Sequence, residues 1–277
     1  MEKNIKSKIV HILLWIMLIV LVLSIFLPFY WMIISGFKEN KDLYSNSFGL
    51  PTVWKVENYA TAWRVGVGRF IGNSVFVTLV STILTLALSA ACAFGLSRFK
   101  FRGREVLFMV ILAGLLLAPQ VALVPLYRIL STMGIYNTYL AMIVPYVAFR
   151  IPFTVFLIRA YLLDFPKDIE EAAIIDGCST FRIFLSITLP VSKPVLASAS
   201  LLAVMSFWNE FMMAMVFTSD NSIRTIPLGL ATLKGTLSTD WGALIAGLVI
   251  AAIPVIILFV AFQKQFVRGM TAGGVKG

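Results

Sequence analysis

The sequence is poor in the residues from which catalytic and metal sites are built. Its 277 residues include one histidine, His11, and two cysteines, Cys92 and Cys178. Two cysteines cannot form a disulfide framework, and a single histidine removes most zinc-ligand sets. No G-x-x-x-x-G-K-[ST] segment occurs, so the chain does not bind nucleotide in a P-loop. We therefore predict a non-catalytic chain that carries no metal and no cofactor of its own.

Charged residues are scarce as well. They make up 13% of the chain and hydrophobic residues 60%, whereas a soluble domain has about 25% and about 45–50%. A compact body of this length could not cover its surface with so few polar groups in water, so a bilayer is the expected solvent. The net charge of +10 does not indicate a nucleic-acid partner, because the basic residues lie between apolar runs.

Charge-poor runs of about 20 residues predict six membrane-spanning helices. They cover about residues 9–37, 70–97, 106–127, 139–158, 194–219 and 241–263. Pro145 and Pro152 should kink the fourth span, which also contains Arg150, and Glu210 interrupts the fifth. The first run is too long for a cleaved signal peptide and is interpreted as an anchor. The predicted fold is all-α and polytopic, with residues 1–277 forming one transmembrane domain.

The distribution of Lys and Arg predicts the orientation of these spans. With the N-terminus inside, the inner segments hold fourteen basic residues and the outer segments eight. The positive-inside rule therefore places both termini in the cytoplasm of a cell-membrane protein. Residues 159–193 then form a cytoplasmic loop and residues 264–277 a cytoplasmic tail.

Small residues recur at every fourth position on two spans. They are Ala87, Ala91 and Gly95 on the second, and Ala243, Gly247 and Ala251 on the sixth. Such stripes allow helices to pack closely in a membrane. Packing within this chain is the favoured interpretation, and packing against a second membrane chain is the alternative.

The segment 159–193 has the signals of two short helices. Pro166 suits the start of the first, and Gly177 can adopt the left-handed conformation that ends it. Ser179 can cap the second, which Pro190 should end. The prediction is therefore a pair of helices that meet at a glycine elbow.

Five acidic residues lie on this otherwise basic side: Asp164, Asp168, Glu170, Glu171 and Asp176. Anionic lipids would repel them, whereas a basic cleft on a soluble protein would attract them. Taken by themselves, these acidic residues are explained equally well by a solvated amphipathic loop that contacts no partner.

Residues 171–190 read E-A-A-I-I-D-G-C-S-T-F-R-I-F-L-S-I-T-L-P. They match the E-A-A-x3-G-x9-I-x-L-P loop signature of permease subunits from binding-protein-dependent ABC importers. The last residues, F-V-R-G-M-T-A-G-G-V-K-G, are similar to the tail of maltose-type permeases, and W-N-E-F at 208–211 is similar to an element of their fifth span. The chain thus resembles the inner-membrane permease subunit of a carbohydrate importer.

This resemblance implies an ATP-driven importer of a sugar or oligosaccharide, in which the chain forms half of the translocation path. The implied partners are a second, related permease, two ATPase subunits that bind ATP and Mg²⁺, an extracellular solute-binding protein and membrane lipid. Coupling to the ATPase would involve Glu170, Glu171, Ala172, Ala173, Asp176, Gly177, Leu189 and Pro190. The tail would add a weaker contact through Thr271, Gly273, Gly274, Lys276 and Gly277.

The candidate translocation path comprises Arg150, Trp208, Asn209, Glu210 and Phe211. A charge at bilayer depth costs about 2.5–3.5 kcal/mol, so Arg150 and Glu210 each need a partner or a watery cavity. They could form an ion pair with each other, line a cavity that receives sugar hydroxyls, or meet the second permease. The aromatic side chains could stack on a sugar ring or simply pack.

Two other functions fit part of the sequence. An ABC permease for amino acids, peptides or phosphonates would share the loop signature. A proton-coupled secondary transporter could use Glu210 as its proton carrier, but it explains neither the acidic loop nor the tail.

Overall fold

A computed structural model describes residues 2–166, 168–236 and 240–272. All regular structure in these ranges is helical, as predicted. The helices are α1 Glu2–Ser35, α2 Asn40–Ser45, α3 Glu57–Ala62, α4 Gly68–Arg98, α5 Arg104–Ala113, α6 Pro119–Thr132, α7 Tyr139–Asp164, α8 Asp168–Ile175, α9 Thr180–Ile183, α10 Leu189–Val191, α11 Lys193–Trp208, α12 Met212–Phe217, α13 Ile226–Thr236 and α14 Trp241–Ala272.

Three helical stretches are long and apolar enough to cross a membrane: Val10–Ser35, Glu57–Arg98 and Tyr139–Asp164. Two pairs of helices, each bent at a short break, reach the same length together, which raises the number to as many as five within the described residues. The apolar stretch Trp241–Ile257 is shorter. The sixth span therefore stays a prediction.

The third predicted span is broken rather than continuous. Helix α5 ends at Ala113, a single 3₁₀ turn follows, and α6 begins at Pro119, with a bend of 98° between the two parts. Proline disfavours helical geometry in the residue before it, and Ala118 is extended with ψ 124°. Pro119 itself suits the first turn of a new helix, where its missing N–H is not needed. By contrast, α7 remains one helix through both of its prolines.

The chain divides into two compact units. The first comprises Met1–Gly68 with Leu230–Ile253. Its short helices α2 and α3 lie in the loop after α1, where the fully buried Lys38 donates hydrogen bonds from Nζ to the carbonyls of Asn46 (2.7 Å) and Ser47 (3.0 Å). Asn58 donates from Nδ2 to the carbonyls of Gly36 and Lys38. The side chains of Lys38 and Asn58 thus hold this loop through hydrogen bonds to its backbone.

Asp42 fixes the same loop at a second point. Its Oδ2 accepts hydrogen bonds from the hydroxyl (2.6 Å) and the backbone N–H (2.8 Å) of Thr52. These donors favour the ionised form, so the pKa of Asp42 lies below its usual value.

The small-residue stripe of α14 is buried in the first unit. Ala243, Gly247 and Ala251 are all buried, and a Cβ on Gly247 would meet Leu230 at 3.1 Å and Val67 at 3.4 Å. The predicted packing seam is therefore confirmed for this helix, because only a small side chain allows such an approach.

The second unit comprises Arg69–Gly229 with Pro254–Gly277. It contains two hydrophobic clusters, one around Met142, Tyr146 and Phe217 and the other around Phe94, Phe108 and Ile158. The stripe on α4 does not follow the favoured prediction, because Ala87 and Ala91 are exposed. The buried face of α4 consists instead largely of hydroxyl-bearing and small residues such as Ser81, Thr85, Ser89 and Ala93.

Candidate functional site

The segment between α7 and α11 forms the predicted pair of short helices. Helix α8 spans Asp168–Ile175, and Gly177 then adopts φ 78°, a conformation that a residue with a Cβ rarely takes. Ser179 caps the next helix by accepting a hydrogen bond from the backbone N–H of Arg182 at 3.4 Å. Pro166 precedes α8, and Lys167 lies outside the described residues.

Pro190 does not end the second helix at the predicted place. A π-turn over Phe184–Thr188 leads into α10, Leu189–Val191, and the run ends at Ser192 before a 75° bend into α11. Pro190 lies in the first turn of α10, where it needs no N–H donor, so the helical path continues through it.

Glu170 is buried and pairs with the end of α4. Its Oε2 lies 2.6 Å from Nε of Arg98, and each side chain is only 8% exposed. The contact is an ion pair rather than an aligned hydrogen bond, because the Nε–H of Arg98 does not point along the contact. Thr188 donates its hydroxyl to Glu170 Oε1 at 3.1 Å, and Arg98 donates from Nη1 to the carbonyl of Leu162 at 2.8 Å. We call these four residues the loop anchor, since they join α8, the π-turn, α4 and α7.

The residues around Glu170 point outward. Helix α8 therefore exposes the acidic residues Asp168 and Glu171 together with Ile169 and Ile174, while its buried face is held by the loop anchor. The predicted coupling residues divide as follows: Glu171, Ala172, Asp176, Gly177 and Pro190 are exposed, Leu189 is half-buried, and Glu170 and Ala173 are buried.

The predicted tail contact lies largely outside the described residues. Thr271 belongs to α14 by its backbone, and its side chain is not described. Gly273, Gly274, Lys276 and Gly277 lie beyond the described chain.

A second charged contact adjoins the loop anchor. Nη2 of Arg159 on α7 donates to Glu105 Oε1 at 2.6 Å, and its guanidinium carbon lies 4.0 Å from the ring centroid of Phe108. Arg159 is thus buried against α5 with both an ion pair and a cation–π contact. Two charges near the ends of adjacent helices were the only indication of this pairing in the amino-acid sequence.

A cavity of about 450 Å³ lies among α6, α7 and the broken fifth span. Its polar lining comes from Gln120, Tyr146, Arg150, Ser206, Asn209 and Glu210, and its apolar lining includes Leu123, Phe149, Phe207, Phe211 and Met213. The cavity thus contains four of the five residues predicted for the translocation path. Trp208 is the exception: it is 4% exposed at the end of α11 and does not line the cavity.

Glu210 causes the break in the fifth span and forms one wall of this cavity. The helix stops at Trp208, and α12 begins at Met212. Glu210 Oε1 accepts from the backbone N–H of Met213 (2.8 Å), and Oε2 accepts from that of Ala214 (3.1 Å) and from the Tyr146 hydroxyl (2.6 Å). The carboxylate therefore caps the new helix, where N–H groups have no partner within the helix.

Arg150 does not form the considered ion pair with Glu210. The described part of the chain places no carboxylate oxygen within 4.0 Å of its guanidinium. Its guanidinium carbon lies 4.8 Å from the Phe153 ring centroid, and its buried Nε has no acceptor. The ion pair fails because three nearer donors already occupy the Glu210 oxygens.

Tyr146 is the residue of the cavity wall whose contact with Glu210 sequence reasoning missed. It lies one helical turn before Arg150 on α7, donates to Glu210, and stacks on Phe207 at 5.5 Å between ring centroids with an 8° interplanar angle. The spacing of four residues from Arg150 would have placed both on one face. The contact with Glu210, 64 residues away, was not visible in the sequence.

Among the described residues, no group of three or more His, Cys, Asp or Glu side chains is arranged to hold a metal ion.

Comparison with known proteins then gives the family. Residues 83–272 match the family described as the binding-protein-dependent transport system inner membrane component. The chain belongs to this family. It is thus a membrane-embedded permease, which is a non-catalytic subunit of an importer, as the loop signature predicted.

Several relatives cover nearly the whole permease. A probable ABC transporter permease protein YurM from Bacillus subtilis is 48% identical over 95% of this chain and 88% of its own length. The trehalose/maltose transport system permease protein MalG from Thermococcus litoralis is 36% identical over 96% and 97%, respectively. The diacetylchitobiose uptake system permease protein NgcG from Streptomyces coelicolor is 34% identical over 90% and 83%.

Solved structures share the fold of the permease. A chain from a bacterial ABC transporter that imports the acidic polysaccharide alginate superposes with a TM-score of 0.80 at 22% identity, covering 94% of this chain and 98% of that one. A second alginate transporter chain, from a complex with a pentasaccharide-bound periplasmic protein, has a TM-score of 0.66 at 14% identity and covers 95% and 94%.

Proposed function

We propose that the permease forms half of the translocation path of an ATP-driven importer for a sugar or oligosaccharide. Relatives named for trehalose/maltose and for diacetylchitobiose support a saccharide as the solute. The remaining subunits are a second, related permease, two ATPases that bind ATP and Mg²⁺, and an extracellular solute-binding protein. Both termini and the loop 159–193 then lie in the cytoplasm, on the side of the ATPases.

The observation that carries this proposal is the exposed acidic face of α8 on an anchored elbow. Glu171 and Asp176 are exposed, whereas Glu170 in the same helix is buried against Arg98. An acidic face that is held rigidly suits a basic cleft on a soluble partner better than it suits the anionic surface of a membrane. We assign Glu171, Ala172, Asp176, Gly177 and Pro190 to the contact, and Glu170 to its support. The tail residues Thr271–Gly277 would provide a second contact.

The loop anchor offers a route for force from the ATPases to the spans. Thr188 and Glu170 lie in the loop, whereas Arg98 and Leu162 end α4 and α7. When the ATPases close, a rigid loop would carry these helix ends with it and change the side to which the cavity opens. The fifth span, broken at Asn209–Phe211, is the kind of discontinuous helix that forms binding sites in transporters.

The cavity would receive part of the saccharide. Asn209 and Ser206 offer hydrogen-bonding groups, and the half-buried Phe211 offers a flat apolar surface for a sugar ring. Trp208 packs in the protein core instead. A proton-carrier role for Glu210 is not favoured, because three hydrogen bonds hold its carboxylate in the wall of the cavity.

The test is reconstitution of the complete importer in proteoliposomes with ATP on the side of the ATPases. We expect saccharide uptake that requires ATP and the binding protein and persists when the proton gradient is collapsed. Glu171→Lys should abolish uptake and release the ATPases, because it puts a cation against a basic cleft. The control is Glu57→Lys, which reverses another exposed acidic residue on α3. Normal uptake by the Glu171→Lys importer would disprove the coupling role.

A further inference from the structure

The cavity contains two opposite charges in unlike situations. Glu210 accepts three hydrogen bonds, from the Tyr146 hydroxyl and from two backbone N–H groups. A carboxylate has about four acceptor positions, so it has little capacity left for a ligand. Its role is to close the wall of the cavity and to cap α12.

Arg150 is in the opposite situation. A guanidinium has five N–H donors. In the part of the chain that the structure describes, the Nε of Arg150 is buried without an acceptor, and no carboxylate oxygen lies within 4.0 Å of the guanidinium. Its one recorded partner is the Phe153 ring at 4.8 Å, which does not neutralise its charge. The cavity therefore contains a guanidinium that lies more than 4.0 Å from the Glu210 carboxylate and whose buried Nε lacks an acceptor.

A cation at bilayer depth is costly unless a ligand, a partner or a watery cavity offsets the cost. The planar guanidinium fork matches a carboxylate through two parallel N–H···O bonds, which are stronger than bonds to neutral hydroxyls. The aromatic ring of Phe211 lines the same cavity and suits the apolar face of a sugar ring. A sugar that bears a carboxylate would satisfy both features.

We propose that this cavity is a subsite for a carboxylate-bearing saccharide, with Arg150 as the counter-ion of the carboxylate. The inference rests on the proposed importer function and narrows its solute class. It gives Arg150 the role of a specificity-determining residue, which selects acidic saccharides over neutral ones at this point of the translocation path.

The test measures the charge and the ligand preference of the cavity directly in the assembled importer. Ser206 is exposed and lines the cavity, so Ser206→Cys, in a background with Cys92→Ser and Cys178→Ser, provides a single reporter thiol. The rate of its modification is measured with an anionic (sulfonatoethyl) and a cationic (trimethylammonioethyl) methanethiosulfonate. Each rate is then measured again with D-glucuronate or with D-glucose, two sugars that differ by a carboxylate.

With Arg150 present, we expect the anionic reagent to be favoured, and Arg150→Gln should change the two rates in opposite directions by about threefold or more. D-glucuronate should slow the reaction in the parent and not in the Arg150→Gln variant, and D-glucose should protect neither. Arg150→Lys keeps the charge without the fork, so it should keep the rate ratio and lose much of the protection. Arg128→Gln, which removes an exposed cation of α6 outside the cavity, should leave both readings unchanged.

Three results would overturn the proposal. An unchanged rate ratio in Arg150→Gln would mean that another subunit already neutralises the guanidinium. Equal protection by both sugars would mean a subsite for neutral sugar, and protection by neither would mean a cation without a sugar site. None of these readings depends on ATP or on the binding protein. The importer function is tested separately by ATP-dependent uptake and can stand when this inference fails.

Discussion

Glu170→Gln removes the charge that faces Arg98 while keeping an acceptor for the Thr188 hydroxyl. Both members of the pair are 8% exposed at a separation of 2.6 Å, so Arg98 would be left as a buried cation with only the Leu162 carbonyl as partner. Breaking a buried pair by removing one member costs about 3–5 kcal/mol. At the lower figure, detachment of the loop becomes roughly a hundredfold more frequent.

The assay for this effect is amide hydrogen exchange in the loop. The backbone N–H of Asp176 donates to the carbonyl of Ala172 at 3.0 Å, and that of Cys178 donates to Ala173 at 2.9 Å. Both amides are protected only while α8 is formed, so their exchange should accelerate by about two orders of magnitude in Glu170→Gln. Alkylation of the half-buried Cys178 thiol should accelerate with them.

Glu171→Gln is the matched control, because it makes the same chemical change at the next residue, which is exposed. An exposed substitution changes stability by about 0.5 kcal/mol or less, so exchange should stay near the parent rate. The double variant Arg98→Gln with Glu170→Gln should recover part of the protection, since it leaves no uncompensated buried charge. If Glu170→Gln and Glu171→Gln gave equal exchange rates, the anchor role of the pair would be refuted.

Three further predictions concern other parts of the chain. Gly177→Val should lower the free energy of unfolding by about 1–3 kcal/mol through backbone strain at φ 78° alone, since no atom lies within 4 Å of the added Cβ. Thermal unfolding and uptake measure the effect, and an asparagine at this position should be tolerated better. Gly242→Ala should lower the unfolding temperature sharply because its Cβ would lie 2.4 Å from the Asn58 amide, whereas Gly72→Ala, with open space around it, should be neutral or slightly stabilising. Equal effects of these two alanines would contradict the packing. The pKa of Asp42 is lowered in the folded protein, so the Asp42 carboxylate contributes fully to stability at neutral pH. This contribution is lost as acidification passes the usual pKa of 3.8 toward the lower folded value. Asp42→Asn should remove this pH dependence from the unfolding temperature.

Two local signals of the loop, at Gly177 and Ser179, predicted its structure correctly because they depend on neighbouring residues, whereas the predicted stop at Pro190 was wrong. A glycine that ends a helix and a serine that begins the next act within one turn, and the structure has both at Gly177 and Ser179. The helical class likewise follows from composition, since only helices or closed barrels satisfy the backbone in a membrane. The break at Pro119 was missed, because the apolar run through it hid a proline that begins a new helix.

The amino-acid sequence by itself determined that this is a helical membrane permease and that an acidic, glycine-hinged loop joins its fourth and fifth predicted spans. Only the tertiary structure decided which acidic residues are free to meet a partner. Glu170 and Glu171 are adjacent and chemically identical, yet one is buried against Arg98 and the other is exposed. Likewise, Glu210 caps a helix, while Arg150 has no carboxylate oxygen within 4.0 Å among the residues that the structure describes. The physical reason is that charge pairing depends on distances of a few ångströms between residues far apart in the chain, which hydrophobic periodicity does not encode.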